Sequence, residues 1–120
     1  MNTESLKKCP STPNCICTEY PDDSKHWLEP LQLSDPLNIT LQRAKKVVLA
    51  MGGKLTEESS IGFKAVFTSF LFRFKDDFEI RIDSDNLKIH IRSASREGYS
   101  DLGVNARRVK KFKSKFLTES

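Results

Sequence analysis

The chain has 120 residues, of which 38% are hydrophobic and 30% charged, with twenty basic residues against sixteen acidic ones. That length suffices for one domain with a real core, the composition is that of an ordinary soluble protein, and no apolar run approaches the roughly 20 residues of a membrane span. The net charge of +4 does not mark the whole surface for nucleic acid, although six of the twenty cations crowd into residues 107–115.

Residues 1–9 carry Lys7 and Lys8 but no apolar stretch behind them, so they do not read as a signal peptide. The expectation is a cytoplasmic chain, or a periplasmic or exported one if a leader was removed. All five prolines fall in the first 36 residues and all five glycines after residue 51. Proline fixes φ and keeps its predecessor out of the helical region, so residues 1–36 are expected to form an extended arm. Ile16, Trp27, Leu28, Leu31 and Leu33 would anchor it on a body spanning 37–118, with 1–120 making a single domain.

The arm holds all three cysteines, Cys9, Cys15 and Cys17, an odd and clustered count unlike a disulfide scaffold. Four readings stay open. A Cys9–Cys15 bridge in an oxidising compartment would close the loop that Pro10 and Pro13 tighten. Free buried thiols rank second. Zinc ranks third: with His26 nearby the ligand types suit it, but the spacing departs from the usual grip of two closely spaced cysteines. A catalytic thiol at Cys15 or Cys17 comes last, since nothing places His26 within reach. No metal site and no cofactor are expected.

Residues 37–51 read as a helix, with Leu41, Ala44, Val48 and Met51 on one stripe, Asn38 as N-cap and Gly52-Gly53 as the stop. Strands follow. Lys54 to Glu58 is short. Phe63, Ala65 and Phe67 alternate with polar or smaller residues, and a run of Phe70, Phe72 and Phe74 continues out of phase, which predicts a bulge or break near Thr68-Ser69. That run reads as core or interface. Asp76-Asp77 suits a turn. Phe78, Ile80 and Ile82 alternate cleanly, as do Leu87, Ile89 and Ile91 after a short connection at Ser84-Asp85-Asn86. The final helix is expected over about 102–117, with Asn105, Val109, Phe112 and Phe116 on one side and Asp101 or Ser100 at its cap. The sum is an α+β, two-layer sandwich: an antiparallel sheet of about four strands, two helices on one face and the proline-rich arm.

Three segments are distinctive together: Cys9-Pro10-Ser11-Thr12-Pro13-Asn14-Cys15, then Asp76-Asp77-Phe78-Glu79, then the stretch from Arg92-Ser93-Ala94-Ser95-Arg96 through Gly98, Asp101 and Gly103 to Asn105. The chain resembles, over nearly its whole length, a widespread uncharacterised family, domain of unknown function 1499. His26, ahead of Pro30-Leu31, and Arg108 also fall on that pattern, while Ala106 stands where the family has arginine. The resemblance implies no activity. Family members often carry export leaders or membrane segments, which this sequence does not show.

The last segment carries the chemistry. Arg92 and Arg96 offer bidentate donors to carboxylate or phosphate. Ser93 and Ser95 add hydroxyls, and the amides opening the last helix favour an anion. With Asp101, Asn105 and Arg108 these residues suit a small anionic ligand. The competing reading, which ranks ahead on the residues alone, is a structural network in which the arginines pair with Asp76, Asp77 or Asp101 and lock the loop to the sheet. Asp76, Asp77 and Glu79 fit that network better than a metal site. His90 reads as a surface histidine. Nucleic acid is not favoured for the 107–115 run, because no aromatic platform accompanies it. As a function, the leading reading is a non-enzymatic binding or interaction domain with a site for a small anion. The alternatives are a small hydrolase using Asp76 or Asp77 with Arg96, or a structural partner protein using the phenylalanine run and the arm. The sequence names no ligand, reaction, partner or oligomeric state.

Overall fold

The computed structural model describes residues 5–69 and 73–118. In chain order the elements are β1 (Cys15–Cys17), β2 (Leu31–Gln32), α1 (Leu37–Ala50), β3 (Lys54–Glu58), β4 (Gly62–Thr68), β5 (Lys75–Asp83), β6 (Lys88–Ser95) and α2 (Val104–Thr118). The strands form one antiparallel sheet in the order β1-β6-β5-β4-β3, with β2 also paired to β6. The class is the expected α+β. The sheet has six strands instead of about four because the arm contributes two short ones along the outer edge of β6.

Period-two alternation sorts the sheet into two faces. Phe63, Ala65 and Phe67 of β4, Phe78, Ile80 and Ile82 of β5, and Ile89 and Ile91 of β6 are buried in one cluster with Leu41, Ala44, Val47 and Val48 of α1 and Val109, Phe112 and Phe116 of α2. Phe78 stands at its centre, its ring 5.6 Å from that of Phe67 and 5.4 Å from that of Phe112. Ile16, Leu31 and Leu33 bring the arm into the same core, with Leu28 packed at its margin. The helices run antiparallel: Arg43, midway along α1, donates to the Phe116 carbonyl and stacks on its ring near the end of α2, while Met51 and Gly52 after α1 border the same cleft as Val104 and Arg107 at the start of α2. At Gly62, β4 presses so closely on β5 that a Cβ would sit 2.1 Å from the Ile80 carbonyl oxygen, a place only glycine can take.

Several local expectations are corrected. Asp76 and Asp77 lie inside β5, paired with Ser95 and Ala94 of β6, not in a turn. The break expected near Thr68-Ser69 is present as the end of β4 at Thr68, and a further irregularity lies in β3 between Leu55 and Glu57. Phe70 and Phe72 lie outside the described residues, and Phe74 is 53% exposed, outside the core. Leu87 takes a left-handed conformation (φ 56) in the turn and is exposed, so β6 starts at Lys88. Pro36, not Asn38, holds the N-cap position of α1, and no side chain caps it. No helix of the described residues is long and apolar enough to cross a membrane.

Candidate functional site

The fold gathers the polar residues of the last motif under the start of α2. Ser93 and Ser95 alternate with Arg92 and Ala94 along β6, and the register sets Ser95 beside Asp76 of β5. These three side chains turn toward α2, where Asn105 and Arg108 sit three residues apart and so share one helix side. Asn105 is fully buried. Its Oδ1 accepts from Ser93 Oγ at 2.6 Å and from Arg108 Nη1 at 3.0 Å. Its Nδ2 donates to Asp101 Oδ2 at 2.7 Å, Ser95 Oγ at 3.0 Å and the Asn14 carbonyl at 3.2 Å. Arg108 goes on to Asp76 Oδ2 at 2.8 Å and lies over the Phe67 ring.

Asp101 closes the helix start. Its Oδ1 accepts from the Gly103 N–H and its Oδ2 from the Asn105 N–H, while Gly103 itself takes φ 82. Burial works against the Asp101 charge, but the bonds from Asn105 backbone and side chain and from Gly103 together outweigh it and hold the carboxyl below its usual range. This corrects the expectation of free amides opening α2: the anion favoured there is the chain's own Asp101.

The sequence reading missed the residue that ties the arm to this network. Asn14 is buried. Its carbonyl also accepts from the Ser95 N–H at 3.0 Å, its Nδ2 donates to the Gly98 carbonyl at 2.8 Å, and its Oδ1 accepts from Thr12. His26 steadies the same turn, with one ring nitrogen at the Thr12 carbonyl and the other at Asp23. Its signal was the Pro-Asn-Cys step, where an asparagine beside a proline reads as an ordinary turn residue.

The opposite sheet face carries ion pairs. Arg92 donates to Glu79 at 3.3 Å and to the Lys7 carbonyl at 2.8 Å. Arg81 grips Glu19 through two nitrogens at 2.6 and 2.7 Å. Burial opposes the Glu19 charge, yet the bonds from Arg81 and the Leu6 N–H hold its carboxyl below the usual range. Arg96 grips Asp77 through Nε and Nη2, at 3.0 and 2.9 Å, and Asp77 holds Arg96 more firmly protonated than usual. The same face hides His90, which is not a surface histidine: it is 9% exposed and bonded to Thr18 Oγ1 at 2.9 Å, and burial pushes its basicity down.

Cys9 and Cys15 are joined by a disulfide. Cys17 is a buried thiol whose pKa burial pushes up to about 11. With two of the cysteines bonded to each other and His26 held by Asp23 and Thr12, the ligand set weighed for zinc is not assembled. Among the described residues no group of histidine, cysteine and carboxylate side chains is placed to hold a metal ion. Nor is any buried side-chain nitrogen or oxygen among them left without a partner.

Residues 5–116 match the family model for a protein of unknown function, DUF1499, and the chain belongs to that family. Neither curated proteins nor solved structures offer a match.

Proposed function

We propose that this member of the family is a non-enzymatic binding domain, and that it receives a small anionic group, a carboxylate or a phosphate, at Arg96. One observation carries the reading: exposure differs sharply among three arginines that each pair with a carboxylate of β5. The side chains of Arg92 and Arg108 are 11% and 14% exposed, each closed in by a carboxylate and a further acceptor. Those of Arg96 and Asp77 are 47% and 40% exposed. An ion pair in water is weakly held, so an incoming anion can replace Asp77 on the planar guanidinium fork with little loss. The Arg96 N–H donates to the Lys75 carbonyl, which brings a second exposed cation to the same end of the sheet. In this reading Ser93, Ser95, Asp101, Asn105 and Arg108 hold the shape of the 96–103 loop and do not touch the ligand.

The hydrolase alternative finds less support. Asp76 faces the helices and is closed by Arg108, whereas Arg96 lies with Asp77 on the other face. Among the described residues neither carboxylate is bonded to a serine, cysteine or histidine that it would activate.

The test is a titration of the labelled protein with inorganic phosphate, and separately with acetate, at constant ionic strength, followed by amide chemical shifts. Saturable shifts centred on Arg96, Gly98 and Tyr99, absent in the Arg96→Ala protein while its thermal midpoint is unchanged, are expected. Shifts that never saturate, or that persist in Arg96→Ala, overturn the reading.

A further inference from the structure

The helical layer has a charge of one sign. Helices α1 and α2 contain nine of the chain's twenty basic residues and no aspartate or glutamate. The rest of the chain therefore holds eleven cations and all sixteen acidic residues. Arg43, Lys45 and Arg108 are neutralised by Asp35, Glu58 and Asp76 from outside the helices. Lys110, Lys111 and Lys115 are exposed and enter no ion pair among the described residues, and Arg107 donates only to the Leu102 carbonyl of its own loop. The fold leaves these four on the outer side of α2, because Val109, Phe112 and Phe116 take its inner side.

The same outer surface exposes branched aliphatics where a solvated face would carry polar groups. Leu117 on α2 is 67% exposed, and Ile39 and Leu49 on α1 are 45% and 54% exposed. Both helices pack on the same face of the sheet and on each other, so their outer sides belong to one layer.

We infer that this helical face docks on an anionic lipid surface. Lysine and arginine stems lie along apolar surface while their charges reach the headgroups, and exposed leucine and isoleucine enter the boundary between headgroups and acyl chains. A cluster of cations near an anionic leaflet gains several-fold in binding per residue. Nucleic acid fits less well. Its readers pair cations with aromatic platforms or base-reading side chains, and here the groups between the cations are aliphatic. The inference does not depend on Arg96, which lies on the other layer.

Co-sedimentation of the full chain with vesicles tests it. One set is phosphatidylcholine alone; in the other about a third of the lipid is phosphatidylglycerol, an anionic leaflet. Binding to the anionic vesicles only, weakening as salt is raised, is expected. Lys110→Glu/Lys111→Glu should lower it about tenfold or more. The charge-matched Lys54→Glu/Lys64→Glu protein, altered on the sheet side, should bind as the parent does. Leu117→Ser should remove the part of the binding that survives high salt. The inference is overturned if anionic vesicles capture no more protein than neutral ones, if the two double variants weaken binding equally, or if duplex or single-stranded DNA outcompetes the vesicles at equal phosphate concentration.

Discussion

Asn105 shows how much one residue can hold together. A carboxamide offers two N–H donors and an oxygen with two lone pairs, and here Ser93, Arg108, Ser95, Asp101 and Asn14 take up all of that capacity inside the protein. Asn105→Ala removes the partner of the fully buried Ser93 hydroxyl and the link from Asp101 to the sheet. It should therefore destabilise the fold by about 2–4 kcal/mol, the cost of stranding buried polar groups in a shared network. Urea unfolding measures this, and a loss within ordinary surface-substitution scatter would show the network to be dispensable. The sequence makes the position of Asn105 legible, since an asparagine on a stripe with Val109, Phe112 and Phe116 must be buried and bonded. Its partners are less so. Asn14 is 91 residues away in the chain, and no local periodicity reports a contact of that range.

At the scale of elements, alternation and the helical stripe locate every long strand and both helices, but turn chemistry misleads at Asp76-Asp77. Two adjacent aspartates are poor strand formers in isolation. Here they stand on opposite faces of β5, and each meets an arginine, Arg108 on one side and Arg96 on the other, so tertiary pairing overrides propensity. The start of α2 has a pH dependence that follows from Asp101. Its carboxyl titrates lower in the folded protein than its ordinary value of roughly 3.9. A depressed folded value means that the capping contribution is complete above the unfolded value and is lost as pH falls through the folded one. Asp101→Asn keeps one acceptor but loses the charge and the second oxygen, and should then cost about 1–2 kcal/mol near neutrality. The gap between parent and variant should narrow as pH drops from about 5 toward 2. Unfolding curves for both proteins across that range check it; a gap independent of pH would mean that the capping bonds do not depend on the charge.

For the whole molecule, what the sequence does not reveal is how the arm becomes part of the sheet. β1 and β2 are three and two residues long, too short for a periodic signal, and both pair with β6, which lies far along the chain. Their attachment is distributed. Ile16, Leu31 and Leu33 enter the core, Asn14 joins the Asn105 network, and the segment before Cys9 is held across the other sheet face by Glu19, Tyr20 and Arg92. The Cys9–Cys15 bond ties that last segment to β1. Closing so short a loop restricts the unfolded chain by about 2 kcal/mol in the chain-entropy account, so reduction, or Cys9→Ala, should lower stability by about that much without unfolding the sheet. The loss should also be local. Cys15 stays in place through its pairing with Ala94, whereas the Leu6 amide is held only by the Glu19 carboxylate. Hydrogen exchange on the reduced protein should speed at residues 5–9 and stay slow at Ile91 and Ser95, with Cys17 resisting alkylation because burial keeps its thiol protonated. Equal loss of protection in β6 would mean instead that arm and sheet form one cooperative unit, with the disulfide sustaining both faces of the sheet at once.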